Sequence, residues 1–173
     1  SPGSARAIQP RNRKSIWRDA GIEIVGLLAY VVIIQVLARI VDKRVLIIDN
    51  DMNSGRQALH FDLSPSEETL YYLAVDFAAA HRLDEELLRR RLLPVTSIWG
   101  KTPRTNGQLD LLPGIRDITE ATRPELAGQA GQRLLAELVA LAARLYDLVL
   151  IDSGSQPFLG AHAGAIAAAD RIL

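Results

Sequence analysis

Three aspartates and a glycine are the residues of this chain best placed to do chemistry. Asp49 and Asp51 close the run Lys43-Arg44-Val45-Leu46-Ile47-Ile48-Asp49-Asn50-Asp51. Asp152 and Gly154 close the run Tyr146-Asp147-Leu148-Val149-Leu150-Ile151-Asp152-Ser153-Gly154. An apolar strand ending in Asp-x-Asp puts one carboxylate at its tip and another just beyond it. Such a pair holds a magnesium-bound water or orients a water attacking a terminal phosphate. In the second run, the acid suits the water shell of magnesium and the glycine lets backbone approach a γ-phosphate. Either run alone has a bland explanation, in which Asp49 and Asp152 cap turns and Asp51 is merely solvated. Together they are more specific.

The elements that must position these acids can be read from hydropathy. Both runs are continuously apolar rather than alternating, which is the pattern of parallel strands covered on both faces. In an open α/β sheet the carboxyl ends of the strands face the ligand crevice, so both acids are expected at one site. Helices are predicted over 66–80, with Glu67 and Glu68 in the first turn, and over 83–93, 124–145 and 161–169. Leu126, Leu134, Leu138, Leu141 and Leu145 form the apolar stripe of the longest. Residues 109–114 read as a short strand entering a turn, and 99–108 as a polar loop. The alternation predicts an α/β fold with a mostly parallel sheet flanked by helices. Arg171-Ile172-Leu173 reads as the opening of a further strand, so the domain is expected to be C-terminally incomplete.

Composition narrows the classes. Apolar residues are 49% and charged residues 23% of the 173, an ordinary globular balance for one domain. Twenty basic and 20 acidic side chains cancel, so nothing global indicates nucleic-acid binding. The absence of cysteine excludes disulfides, thiol catalysis and thiolate metal sites, and His60, His81 and His162 show no ligand spacing. Residues 1–14, with Arg6, Arg11, Arg13 and Lys14, read as a basic flexible tail ahead of a domain over 15–173. No secretory cleavage pattern follows it, and a cytoplasmic, membrane-peripheral location is expected.

The two Asp-terminated strands resemble those of the MinD/ParA family of P-loop ATPases, the second being its Walker B strand. Leu109-Asp110-Leu111-Leu112-Pro113-Gly114 is similar to the family's third strand and turn, and Ala167-Ala168-Ala169-Asp170-Arg171-Ile172-Leu173 to the stretch after Walker B. The small Gly-containing turn Asn53-Ser54-Gly55, leading to Leu63, resembles the TadZ/CpaE-like branch, and the Asp-Ser-Gly ending resembles actinobacterial MinD-like proteins. The resemblance covers about residues 42–173. It implies a P-loop NTPase-like fold, ATP with magnesium as cofactor, Asp51 assisting the attacking water, and Asp49 and Asp152 holding the metal through water. It further implies a protein that places a partner machine, such as a pilus or secretion apparatus, and a homodimer closing around two nucleotides.

The chain departs from the family where phosphate should be gripped. Counting back from Asp51 without a gap reaches Gly21-Ile22-Glu23-Ile24-Val25-Gly26-Leu27-Leu28. Gly21 and Gly26 keep the GxxxxG spacing of the phosphate loop. Leu27 stands where the resemblance puts the phosphate-binding lysine, Leu28 where it puts the magnesium-ligating threonine, and Ile22 where it puts the lysine that reaches across the dimer. Glu23 places negative charge among phosphate oxygens, a repulsion of about 4 kcal/mol at ~4 Å and an effective dielectric of ~20. This degenerate Walker A predicts impaired or lost ATP hydrolysis and weak nucleotide binding. The preceding 15–19 segment carries Arg18 and Asp19 where a buried strand belongs. An active ATPase of the family, with 15–41 rearranged, is the alternative.

Two further segments carry suggestive patterns. Gly100-Lys101-Thr102 imitates the end of a phosphate loop, but Val95 occupies the position of its first glycine and Pro103 follows at once, so a surface loop is expected. Residues 24–38 hold one polar side chain, Gln35. A bilayer span needs about 20 apolar residues. A helix buried on the sheet is the expectation, and a membrane-tethered interaction module the alternative.

Overall fold

The structure is a computed structural model that describes residues 42–53, 55–95, 107–154 and 160–170. The expectations for the 1–14 tail, for Gly21, Gly26, Leu27 and Leu28, for the 24–38 segment, for Gly100-Lys101-Thr102 and for 171–173 lie outside these residues.

Strands Arg44–Asn50 (β1), Leu93–Pro94 (β2), Gln108–Leu112 (β3) and Leu148–Ser153 (β4) form one sheet in the order β2-β3-β1-β4. β1 runs parallel to β3 on one side and to β4 on the other, while β2 joins β3 antiparallel. The helices are Gln57–His60 (α1), Leu70–Ala80 (α2), Glu85–Arg90 (α3), Ile118–Ala121 (α4), Gly128–Leu145 (α5) and Gly160–Ala168 (α6). The protein is therefore α/β with a mostly parallel sheet flanked by helices. No described helix is long and apolar enough to cross a membrane.

Side-chain alternation along β1 sorts the core into two layers. Leu46 and Ile48 point to the face covered by α2, α5 and α6, where they join Leu73, Leu134, Leu138 and Ala165. Val45 and Ile47 point to the opposite face and join Ala58, Phe61, Leu109 and Leu111. All four β1 side chains are fully buried. Burial of this kind stabilises by about 1.5–3 kcal/mol per large aliphatic side chain, so β1 anchors the site at its tip.

Three predicted helices are shorter than expected, each for a local reason. α2 begins at Leu70 rather than 66, because Thr69 caps it and Leu70 N–H donates to Pro113 O at 2.7 Å. Glu68 instead accepts from Ser66 N–H at 3.0 Å, so the predicted first-turn acids lie in the turn before the helix. α3 is confined to Glu85–Arg90 by its Asp84 cap. Leu93, expected at the helix end, forms β2 together with Pro94, and the edge position of β2 tolerates proline. α5 begins at Gly128, the 124–127 stretch being a turn closed by Ala127 N–H on Arg123 O at 2.9 Å.

Candidate functional site at the strand tips

The register of the central strands brings the predicted acids together. Asp49 pairs with Asp152 and Asn50 with Ser153 across β1 and β4. Alternation then sends Asp49 and Asp152 to one face and Asn50 and Ser153 to the other.

Asp49 is completely buried, and its carboxylate is held by two backbone donors. Asp51 N–H donates to Oδ1 at 3.2 Å and Gln57 N–H to Oδ2 at 2.9 Å. Burial pushes the Asp49 carboxyl up from 3.8 to about 6, the two backbone N–H groups oppose the rise, and the charges of Asp152 and Asp51 add to it. A carboxylate poised there changes charge close to physiological pH.

Gln57 ties the acids to each other. Besides its backbone bond to Asp49, its side-chain Nε2 donates to Asp152 Oδ2. Its presence depends on the turn after β1. Asp51 Oδ1 accepts from Asn53 N–H at 2.9 Å, Asp51 O accepts from Gly55 N–H at 3.2 Å, and Gly55 adopts φ +45°. That conformation favours glycine, and Gly55 also lies flat against the Ile115 carbonyl, where no Cβ fits.

Glycines elsewhere let backbone close around the acids. A Cβ on Gly114, just after β3, would stand 2.9 Å from the Asp49 carboxyl carbon. A Cβ on Gly154 would collide with Asp51 Oδ1. Gly154 backbone thus lies against the second acid of the Asp-x-Asp pair. The structure therefore brings together Asp49, Asp51, Asp152 and Gly154.

On the other face, Asn50 Nδ2 donates to Ser153 Oγ at 3.1 Å and lies 3.5 Å from Ala161 O. His162 Nε2 lies 2.8 Å from Asn50 O. A carbonyl only accepts, so Nε2 carries the hydrogen in this bond. Asn50 and His162 are both buried and fasten the first turn of α6 to the strand tips. Sequence reasoning passed over Gln57, Asn50 and His162. Asn50, between the two aspartates, was the one with a positional signal; a glutamine in a turn and a histidine in an alanine-rich helix have none.

Two buried acceptors near the strand tips have no hydrogen-bond partner among the described residues: Gln57 Oε1 and Asn50 Oδ1. Gln57 Oε1, on the side of the acids, joins their carboxylates in an oxygen set that suits a hard cation, while Asn50 Oδ1 belongs to the other face. No group of three or more histidine, cysteine or acidic side chains among the described residues is close enough to ligate a metal ion directly. A cation that fits here is one that keeps its waters. A groove of about 680 Å³ between α5 and α6, lined by Ala136, Val139, Ala140, Ala163 and Ala167 among others, offers mostly methyl groups and lies apart from these acids.

No family model matches the chain, and neither does any curated protein. A solved structure similar to it is the septum site-determining protein MinD complexed with Mg-ADP from Pyrococcus horikoshii OT3. The two share 21% identity over 76% of this chain and 46% of that one, with a TM-score of 0.47. The chain thus spans about half the length of that protein.

Proposed function

We propose that this chain is a MinD/ParA-like positioning protein with impaired or lost ATP hydrolysis, acting as a localisation factor for a partner machine such as a pilus or secretion apparatus. The observation that carries the reading is the convergence of Asp49, Asp51, Asp152 and Gly154 at adjacent strand tips, in a chain whose aligned phosphate loop offers Leu27 and Leu28 in place of lysine and threonine. In this reading Asp49 and Asp152 hold a magnesium ion through its waters, and Asp51 stands where an attacking water would be oriented. Bound magnesium would neutralise charge on phosphate oxygens. Without the lysine, affinity for ATP falls by orders of magnitude, since each lost 1.4 kcal/mol is about tenfold. The protein then acts by occupying a place and holding a partner, as a homodimer or at a cytoplasmic membrane surface.

Calorimetric titration with ATP and magnesium, alongside a phosphate-release assay, tests this. The expected result is weak or undetectable binding and no turnover. Micromolar binding with turnover would reject the reading in favour of an active ATPase.

A further inference from the structure

Gln57 belongs to none of the residues that the strand motifs single out, yet it bonds both Asp49 and Asp152. Its backbone N–H holds Asp49 and its amide Nε2 holds Asp152. The orientation of the amide follows from chemistry. A carboxylate only accepts, so the NH₂ must face Asp152. Oε1 is thereby turned away from Asp152 and left buried without a donor among the described residues. Gln57 is only 6% exposed, so bulk water does not readily satisfy that oxygen. A buried acceptor without a donor is unfavourable, and the two carboxylates that Gln57 bonds supply none.

We propose that Gln57 is a positioning residue of the strand-tip site: it locks Asp49 and Asp152 into one unit and presents Oε1 to a water of a hydrated divalent cation, which the unit binds without nucleotide. The inference rests on the preceding reading only in taking the strand tips as the ligand-facing end. A hydrated divalent ion supplies what the site lacks, namely positive charge between two acids and O–H donors pointing outward. Magnesium-class ions dehydrate reluctantly and bind through one or two carboxylates with several waters kept, which agrees with the lack of a three-ligand cage among the described residues.

The test uses the full chain, labelled with ¹⁵N, and manganese as a paramagnetic probe with no nucleotide present. The side-chain amide signal of Gln57, identified by its loss in Gln57→Glu, is expected to broaden selectively and to recover when magnesium is added in excess. Gln57→Met removes both amide atoms and is expected to weaken manganese binding about tenfold or more. Gln57→Glu gives up the donor to Asp152 but keeps an acceptor oxygen and adds charge, so it is expected to bind manganese more tightly than Gln57→Met. Unchanged α5 amide signals verify that each variant is folded. If manganese leaves the Gln57 amide untouched, or if Gln57→Met titrates like the parent, the proposal fails. Equal weakening in both variants would mean a purely structural glutamine and also overturns it; if Gln57→Met does not fold, the broadening of the Gln57 amide decides. ATP calorimetry on the parent reports on the nucleotide reading separately, so either can fail while the other stands.

Discussion

Two buried aspartates in this protein look alike by burial and differ in what surrounds them. Asp110, in β3, is 4% exposed and accepts from Tyr146 O–H and from Gln108 Nε2, both at 2.5 Å. Desolvation raises its carboxyl, and the Tyr146 and Gln108 hydrogen bonds oppose the rise. Burial and the Asp110 charge together push the Tyr146 hydroxyl well above its ordinary range. Asp49 is likewise raised by desolvation. The Asp110 cluster is closed, with each donor finding its acceptor. The Asp49 cluster ends in the Gln57 amide oxygen, which has no donor among the described residues. A perturbed carboxyl marks burial; unmet hydrogen-bonding capacity is what marks a place for a ligand.

Substitutions can break or sharpen that contrast. The largest effect is expected from Gly55→Ala, which puts a Cβ onto the Ile115 carbonyl and requires positive φ of a residue that disfavours it. Overpacking and left-handed strain together predict a loss of about 2–4 kcal/mol in chemical denaturation. The Asp49–Gln57 contact should loosen with it, while the Asp110 cluster stays intact.

Next in size is the pH dependence. Asp49 has a folded value near 6 against 3.8, so between these values the folded protein holds a proton that the unfolded chain has released. Its contribution is present in full below about pH 4 and is lost as pH rises through 6, a change of roughly 2–3 kcal/mol. Asp49→Asn should flatten that part of the stability–pH curve relative to the parent. An unchanged slope would show that Asp49 titrates normally.

Tyr146→Phe removes a donor from Asp110 without replacing it. It should destabilise by about 1–2 kcal/mol in denaturant melts and raise the Asp110 carboxyl further, leaving the strand-tip acids unaffected. The smallest effect is expected at Arg90, whose 3.3 Å pair with Glu86 is solvent-exposed on α3. Arg90→Ala should change stability by less than about 0.5 kcal/mol.

Much of the framework was legible because it rests on local pattern. The continuous apolar runs 45–48 and 148–151 read as strands covered on both sides; β1 is buried from Val45 to Asn50, whereas β4, at the end of the described sheet, is a strand whose apolar side chains are only half-buried. The long leucine stripe marked α5, although Gly128 and not Pro124 begins it. What escaped was set by partners distant in sequence. Leu93 read as a helix end because β3, which claims it, lies some way along the chain. Helix 66–80 lost its first turn to a bond from Leu70 to Pro113, across more than forty residues.

The candidate site divides the same way. Which residues carry charge at the ends of β1 and β4 is written in the order of the amino acids, because a two-residue period and an apolar run determine strand, face and tip. That Asp49 stands opposite Asp152, that Gln57 reaches both, and that two amide oxygens are left without donors was decided only by tertiary structure. Register between strands about a hundred residues apart, and a hydrogen bond across the turn that follows β1, are properties of packing, and no local spacing encodes them.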